Sequence, residues 1–193
     1  TKPEFFKEFD EDGENKRILK GWNLKLIGGV AIAWTLFQLW YASPFPFIFN
    51  FGQFIDVPAR AIHLAFAFTL CFLLYPSIKS KRNQKIQLID FVFVFLGLVT
   101  TLYLVIGYEG LVHRQGLMST ITILSFTIPY EIIIGSTGII LLLEATRRVV
   151  GLPLVIIAVI FILYSFFGRI LPDLIAHPGL SLNRLVGYHW LGG

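Results

Sequence analysis

The sequence predicts an all-α integral membrane protein of about five transmembrane helices plus interfacial segments, with its N-terminus in the cytoplasm. Three observations predict it: the composition, the spacing of apolar stretches and the placement of the basic residues. Of 193 residues, 55% are hydrophobic and 15% charged, with a mean hydropathy of +0.72. A soluble domain is roughly 45–50% apolar and about 25% charged. Phe alone supplies 19 residues, which suits a lipid-facing surface with ring-rich interfaces.

A spanning helix needs about 20 mostly apolar residues, and five stretches approach or meet that length: Leu24 to Tyr41, Ala59 to Tyr75, Leu88 to Ile106, Glu131 to Ala145 and Leu152 to Leu171. The fourth is the weakest, because Glu131 and Glu144 bound its apolar part. Pro is tolerated in a helix's first turn, where its missing N–H has no intrahelical partner, so this helix is expected to start near Pro129. Twelve of the sixteen Lys and Arg fall in the tail up to Lys25, in Lys79 to Lys85 and at Arg147 and Arg148; Arg60, Arg114, Arg169 and Arg184 fall on the other side. Cationic loops stay in the cytoplasm, so this alternation gives a cytoplasmic tail (1–22), a five-helix membrane domain (23–171) and an interfacial connector (172–193). The tail has no apolar core resembling a secretory signal, so no cleaved leader is expected.

Between the first two spans, Pro44 to Phe54 reads PFPFIFNFGQF, with Phe45, Phe47, Phe49 and Phe51 on alternate positions. Two prolines and the lack of a partner strand argue for an extended segment along the interface beside Trp40 and Tyr41; a partner-docking surface is the alternative. Leu117 to Ile128 is too short and polar for a further span and is expected to be interfacial or re-entrant. After the fifth span, Pro172 and the His177-Pro178-Gly179 turn interrupt regular structure. Ser181 then sits where an N-cap would begin a short amphipathic helix from Leu182 to Trp190.

The net charge of +4 does not imply nucleic acid, because the basic residues lie between apolar runs rather than on one solvated face. Cys71 is the only cysteine, which excludes an intrachain disulfide and a thiolate metal cluster. Arg60 and His63 share a helix face one turn apart and are candidates for an anion, a lipid headgroup or a partner carboxylate; an interfacial structural role is the competing reading. Glu144, Arg147 and Arg148 stand at i, i+3 and i+4, the order that favours a local ion pair and a cationic helix end, with anionic lipid as a further partner. Asp90 begins the third span at the positive end of its dipole. Glu109, His113 and Arg114 read as loop charges, because one carboxylate and one imidazole make neither a metal site nor an acid–base pair. Gly28-Gly29 suggests close helix packing, and Gln38 a hydrogen bond to a neighbouring helix. No catalytic residue, metal site or substrate site is expected in this chain.

In order and spacing, RAIHLAFAFTLCFLLYP from Arg60, YEGLVHRQG, LLLEATRRVVGLPLVIIAVIFILYSFFGRILP and LIAHPGLSLNRLVGYHW are similar to a known membrane family. The stretch from Ala59 to Trp190 resembles the N-terminal, small membrane part of the fused permeases of tripartite ATP-independent periplasmic (TRAP) transporters of the type served by TAXI binding proteins. The motifs that carry the resemblance are Arg60-x-x-His63-Leu64, Leu143 to Arg148, and His177-Pro178-Gly179 through Leu185. The resemblance implies a scaffold-like component of a secondary transporter for a small organic anion in a bacterial or archaeal inner membrane. Its implied partners are a large membrane domain, as a separate chain or a continuation, and a periplasmic TAXI-type binding protein. Sodium and substrate would bind in the large domain, with no cofactor in this chain. Glu131, where the family usually has Asp, and the insert Leu117 to Ile128 depart from the pattern. A stand-alone membrane assembly or sensor protein, and less readily a membrane-embedded enzyme, remain as other classes.

Overall fold

The computed structural model describes residues 16, 17, 19, 21–54, 56–77, 86–113, 119–123, 126–172 and 174–191. The tail before Lys16, the basic run Lys79 to Lys85 and Arg114 lie outside the described residues. In chain order the elements are helix α1 (Trp22–Ala42), the single turn α2 (Phe45–Ile48), α3 (Asp56–Leu74), α4 (Leu88–His113), strands β1 (Ile121–Ile123) and β2 (Phe126–Ile128), then helices α5 (Tyr130–Val149) and α6 (Leu152–Phe167). A 3-10 turn (Gly168–Ile170), helix α7 (Leu182–Val186) and a π-helical turn (Gly187–Leu191) end the description.

Four helical stretches are long and apolar enough to cross a membrane: Trp22–Ala42, Asp56–Leu74, Leu88–Leu111 and Leu152–Ile170. At 1.5 Å per residue, 19 residues span about 28 Å, close to the hydrocarbon thickness of roughly 30 Å. The expected fourth span, α5, is a continuous helix of 20 residues. Its Glu131, Glu144, Arg147 and Arg148 keep it out of the apolar set, so length and composition support four spans directly.

The bundle has two distinct ends. At the basic end lie Arg17, the C-terminus of α3, the start of α4 and the end of α5, joined by ion pairs. At the other, Phe-rich end lie α2 and the start of α5. α3 packs along α4, α5 lies against both, and α1 lies against α3 with only Ile27 buried. The core is Ala61, Phe68 and Phe72 of α3, Leu104 of α4, Leu141 of α5, and Val186 and Trp190 from the C-terminal segment. α6 lies against α5 and has no buried residue of its own.

The C-terminal segment does more than lie at a surface. Ser181 caps α7 by accepting the Arg184 N–H at 3.4 Å, as its position in the sequence suggests. The helix then drives Val186 and Trp190 into the crevice left by Gly135 and Gly138 of α5. A Cβ at Gly135 would stand 2.3 Å from Val186, and one at Gly138 2.2 Å from the Trp190 ring. The absence of side chains at these two positions is what admits the segment to the core. Because the segment packs on the N-terminal half of α5, α6 must run from the basic end back to the Phe-rich end.

Two local expectations are corrected and a third segment is defined. Pro44 to Phe54 is not extended: Pro44 and Pro46 sit in the first turn of α2, Phe49 N–H donates to Phe45 O at 2.9 Å, and Asn50 (φ 50°) and Gly52 (φ 67°) reverse the chain. Proline needs no N–H partner there, and the Phe45, Phe49 and Phe51 rings gather around Trp40 at 6.1–6.4 Å. Leu117 to Ile128, expected to be interfacial or re-entrant, gains a definite form in its described part, an antiparallel hairpin in the register Ile121↔Ile128, as its β-branched Ile and Thr favour. α4 extends seven residues past Ile106, so Glu109 and His113 are helical rather than in a loop. The expected start of α5 is met, with Pro129 as its N-cap.

Candidate functional site

At the basic end, Arg17 and the charges of α4 and α5 come together at the end of α3. Asp90, in the first turn of α4, accepts from Arg17 Nη2 at 2.5 Å on Oδ2 and from Arg148 Nη1 at 2.7 Å on Oδ1. Its Oδ2 also accepts the Gln87 N–H at 3.1 Å, which caps the start of α4. The side chains of Arg17, Asp90 and Arg148 are all fully buried. Arg148 further donates from Nε to Glu144 at 2.8 Å and from Nη1 to Tyr75 O at 3.0 Å, and its guanidinium lies 5.0 Å from the Phe72 and Phe93 ring centres. Arg147 holds Glu144 at 2.7 and 2.8 Å and donates to Ser77 O at 3.1 Å.

Arg17 adds a second function to this cluster. Its backbone N–H donates to Leu74 O at 2.9 Å and its Nη1 to Leu73 O at 3.1 Å. The last carbonyls of a helix have no intrahelical donor, so Arg17 and Arg148 together satisfy the C-terminus of α3. The cluster is a clamp on three helix ends, with three guanidiniums facing two carboxylates among the described residues. Arg17 Nε and Arg148 Nη2 are buried there without a hydrogen-bond partner among the described residues.

Sequence spacing identifies the local part of this cluster, Glu144 with Arg147 and Arg148. It does not find Arg17, and it reads Asp90 only as a dipole partner. The available signal is the isolated carboxylate of Asp90 at the mouth of an otherwise apolar helix, a position where an ionisable group wants a counter-charge.

At the Phe-rich end Arg60 and His63, candidates on one helix face, engage different partners. Arg60 forms an exposed i, i+4 pair with Asp56, its Nε 2.8 Å from Oδ1. His63 instead turns to α1, where its Nδ1 lies 3.3 Å from Trp34 Nε1 and 3.2 Å from Gln38 Nε2. Gln38 thus makes the interhelical hydrogen bond its sequence position suggests. Gly28 and Gly29 have nothing within 4 Å of a Cβ at either position, so the close packing expected there is absent among the described residues. Glu131, fully buried, accepts from the Tyr103 hydroxyl at 2.5 Å and from Ser119 N–H at 2.6 Å, tying α4 and the hairpin to the start of α5. Glu109 is exposed on α4.

The His177-Pro178-Gly179 turn closes on the end of α6. The His177 ring reaches Tyr164 O at 2.9 Å through Nε2 and accepts Gly179 N–H at 3.1 Å on Nδ1; Arg169 Nε donates to Pro178 O at 2.6 Å. This clasp redirects the chain toward α5. Phe45, Phe47, Phe49 and Phe51 are exposed, Phe47 and Phe51 most so at 72% and 74%. Among the described residues no three His, Cys, Asp or Glu side chains gather as metal ligands.

Continuous apolar helices with interhelical charges confined to their ends place the chain among helical, multi-pass membrane proteins. No protein family, curated protein or solved structure matches the chain in comparison.

Proposed function

We propose that this protein is the small, scaffold-like membrane component of a TRAP-type secondary transporter of the TAXI class, supporting uptake of a small organic anion. In this reading all five helices cross the inner membrane of a bacterium or archaeon, with the basic end in the cytoplasm and the Phe-rich end in the periplasm. Substrate selection and sodium coupling belong to a large membrane partner, and a periplasmic binding protein delivers the substrate.

One observation supports this reading above the others: the helix ends are locked by the buried clamp of Arg17, Asp90 and Arg148, while α1 and α6 leave nearly their whole apolar surface uncovered. A rigid bundle with two open apolar flanks suits a scaffold against which another membrane domain works. A transport site in such systems is built instead from broken helices near the membrane midplane, whereas α1, α3, α4 and α6 are continuous helices.

Affinity purification from the native membrane in mild detergent, followed by intact mass spectrometry, tests the proposal. Recovery of a large multi-span partner, or of a longer chain containing these residues, is the expected result; recovery of this polypeptide alone at native abundance refutes it. Placing Asp at both Phe47 and Phe51 is expected to weaken binding-protein docking or complex assembly. Unchanged transport together with an unchanged complex would remove the Phe-rich end from any docking role.

A further inference from the structure

We infer that Gln38 and His63 form a polar docking point, inside the apolar layer, for a transmembrane helix of the large partner that presents a side-chain carboxamide or hydroxyl. This rests on the scaffold reading above and adds to it the place and chemistry of one contact.

The hydrogen bonds fix the chemistry of the pair. An indole N–H only donates, so Trp34 Nε1, 3.3 Å from His63 Nδ1, makes that nitrogen an acceptor. Gln38 Nε2, 3.2 Å from the same atom, is the second donor to it. The ring proton of His63 is then on Nε2, facing away from α1. Among the described residues neither His63 Nε2–H nor the Gln38 carbonyl oxygen has a partner, and both side chains are exposed. The result is one donor and one acceptor side by side on the outside of the bundle.

Their depth makes the pair significant. His63 is seven residues into α3, about 10 Å along its axis, and Gln38 is one turn inside the end of α1. Beyond them toward that end of the bundle lie Trp40 and the exposed rings of Phe45, Phe47, Phe49 and Phe51. The apolar layer therefore extends past the pair. Arg60, nearer the helix start, is engaged with Asp56 and supplies nothing. Lipid tails offer no hydrogen bonds, so polar groups at this depth are costly unless another protein satisfies them.

The occupant's chemistry follows from having one donor and one acceptor together. A carboxylate would answer His63 Nε2–H but repel the Gln38 oxygen, and an ammonium or guanidinium would do the reverse. A carboxamide or hydroxyl both gives and takes a hydrogen bond and satisfies both groups. Neighbouring Leu39, 63% exposed, supplies the apolar contact that a helix needs on either side.

The test places the photo-crosslinker p-benzoylphenylalanine at Leu39 in the full protein in its native membrane, with cross-linked peptides identified by mass spectrometry. The expected product joins Leu39 to an apolar span of the large partner that contains Asn, Gln, Ser or Thr. The double variant Gln38→Met, His63→Phe keeps the size of both side chains. It is expected to lower the yield on the order of tenfold, the effect of one or two membrane hydrogen bonds. Arg60→Ala serves as the control that leaves the yield intact. Cross-links confined to lipid or to a second copy of this chain, or an equal yield from the double variant, overturn the inference while leaving the transporter reading standing. If the double variant melts earlier, Gln38→Met alone decides by the same yield. Absence of any large partner from the wild-type sample overturns the transporter reading and this inference with it.

Discussion

Asp90 holds two guanidiniums with two oxygens, and everything at the basic end depends on that sharing. Removing one member of a buried charge pair costs about 3–5 kcal/mol, because the charge left behind keeps its desolvation penalty. Asp90→Ala leaves two such charges, Arg17 and Arg148, so a loss of at least that size is expected in thermal unfolding in detergent micelles. Arg17→Ala is a smaller change. Asp90 keeps Arg148, Glu144 keeps Arg147, and the charges then balance, so the loss is that of the bonds to the α3 carbonyls and to Asp90, about 1–3 kcal/mol. Equal effects from the two variants would show that the clamp is not centred on Asp90. The Glu144, Arg147 and Arg148 part of this cluster was legible because its members are three and four residues apart on one helix. Arg17 and Asp90 are 73 residues apart and Asp90 and Arg148 are 58 apart; no local periodicity links such residues.

Among the elements, α5 joins the most features. It carries the clamp at one end, buried Glu131 at the other, and between them the Gly135 and Gly138 crevice that holds Val186 and Trp190. Gly138→Leu would place a side chain where the indole lies, and overpacking of this kind costs about 1–3 kcal/mol. The expected signature is earlier proteolysis between Ser181 and Leu191, with the α3–α4 pair still protected. Uniform loss of protection across all helices would mean that the C-terminal segment is inseparable from the rest of the core. The Phe-rich turn and the hairpin teach the opposite lesson about elements. Alternation of Phe suggested an extended segment, yet Trp40 at the end of α1 gathers the rings about itself. Gly52 then turns the chain at a positive φ, where a Cβ would come within 2.9 Å of the Trp40 indole nitrogen.

At the scale of the whole molecule, the membrane orientation is open to direct measurement. The sole cysteine permits a clean background: with Cys71→Ser in place, Phe47→Cys is expected to react with a membrane-impermeant maleimide in intact cells. Lys16→Cys, exposed beside the clamp, is expected to react only after permeabilisation. The reverse pattern would invert the bundle, and labelling of both in intact cells would show that α1 does not cross.

The solvent, the positions of the five long helices and the caps at Pro129 and Ser181 were readable from the sequence. These depend on quantities that act over one turn or one span: apolar length against bilayer thickness, proline without an N–H, a serine before a helix, and cations at a helix end. Tertiary structure alone decided that Arg148, while keeping Glu144, also holds Asp90, that Arg17 closes the end of α3, that His63 pairs with Trp34 and Gln38, and that Trp190 enters the core. The reason is physical. A buried charge or a bulky ring is stabilised by whichever partner space brings within a few ångströms, and in a bundle of antiparallel helices that partner is usually many turns away along the chain.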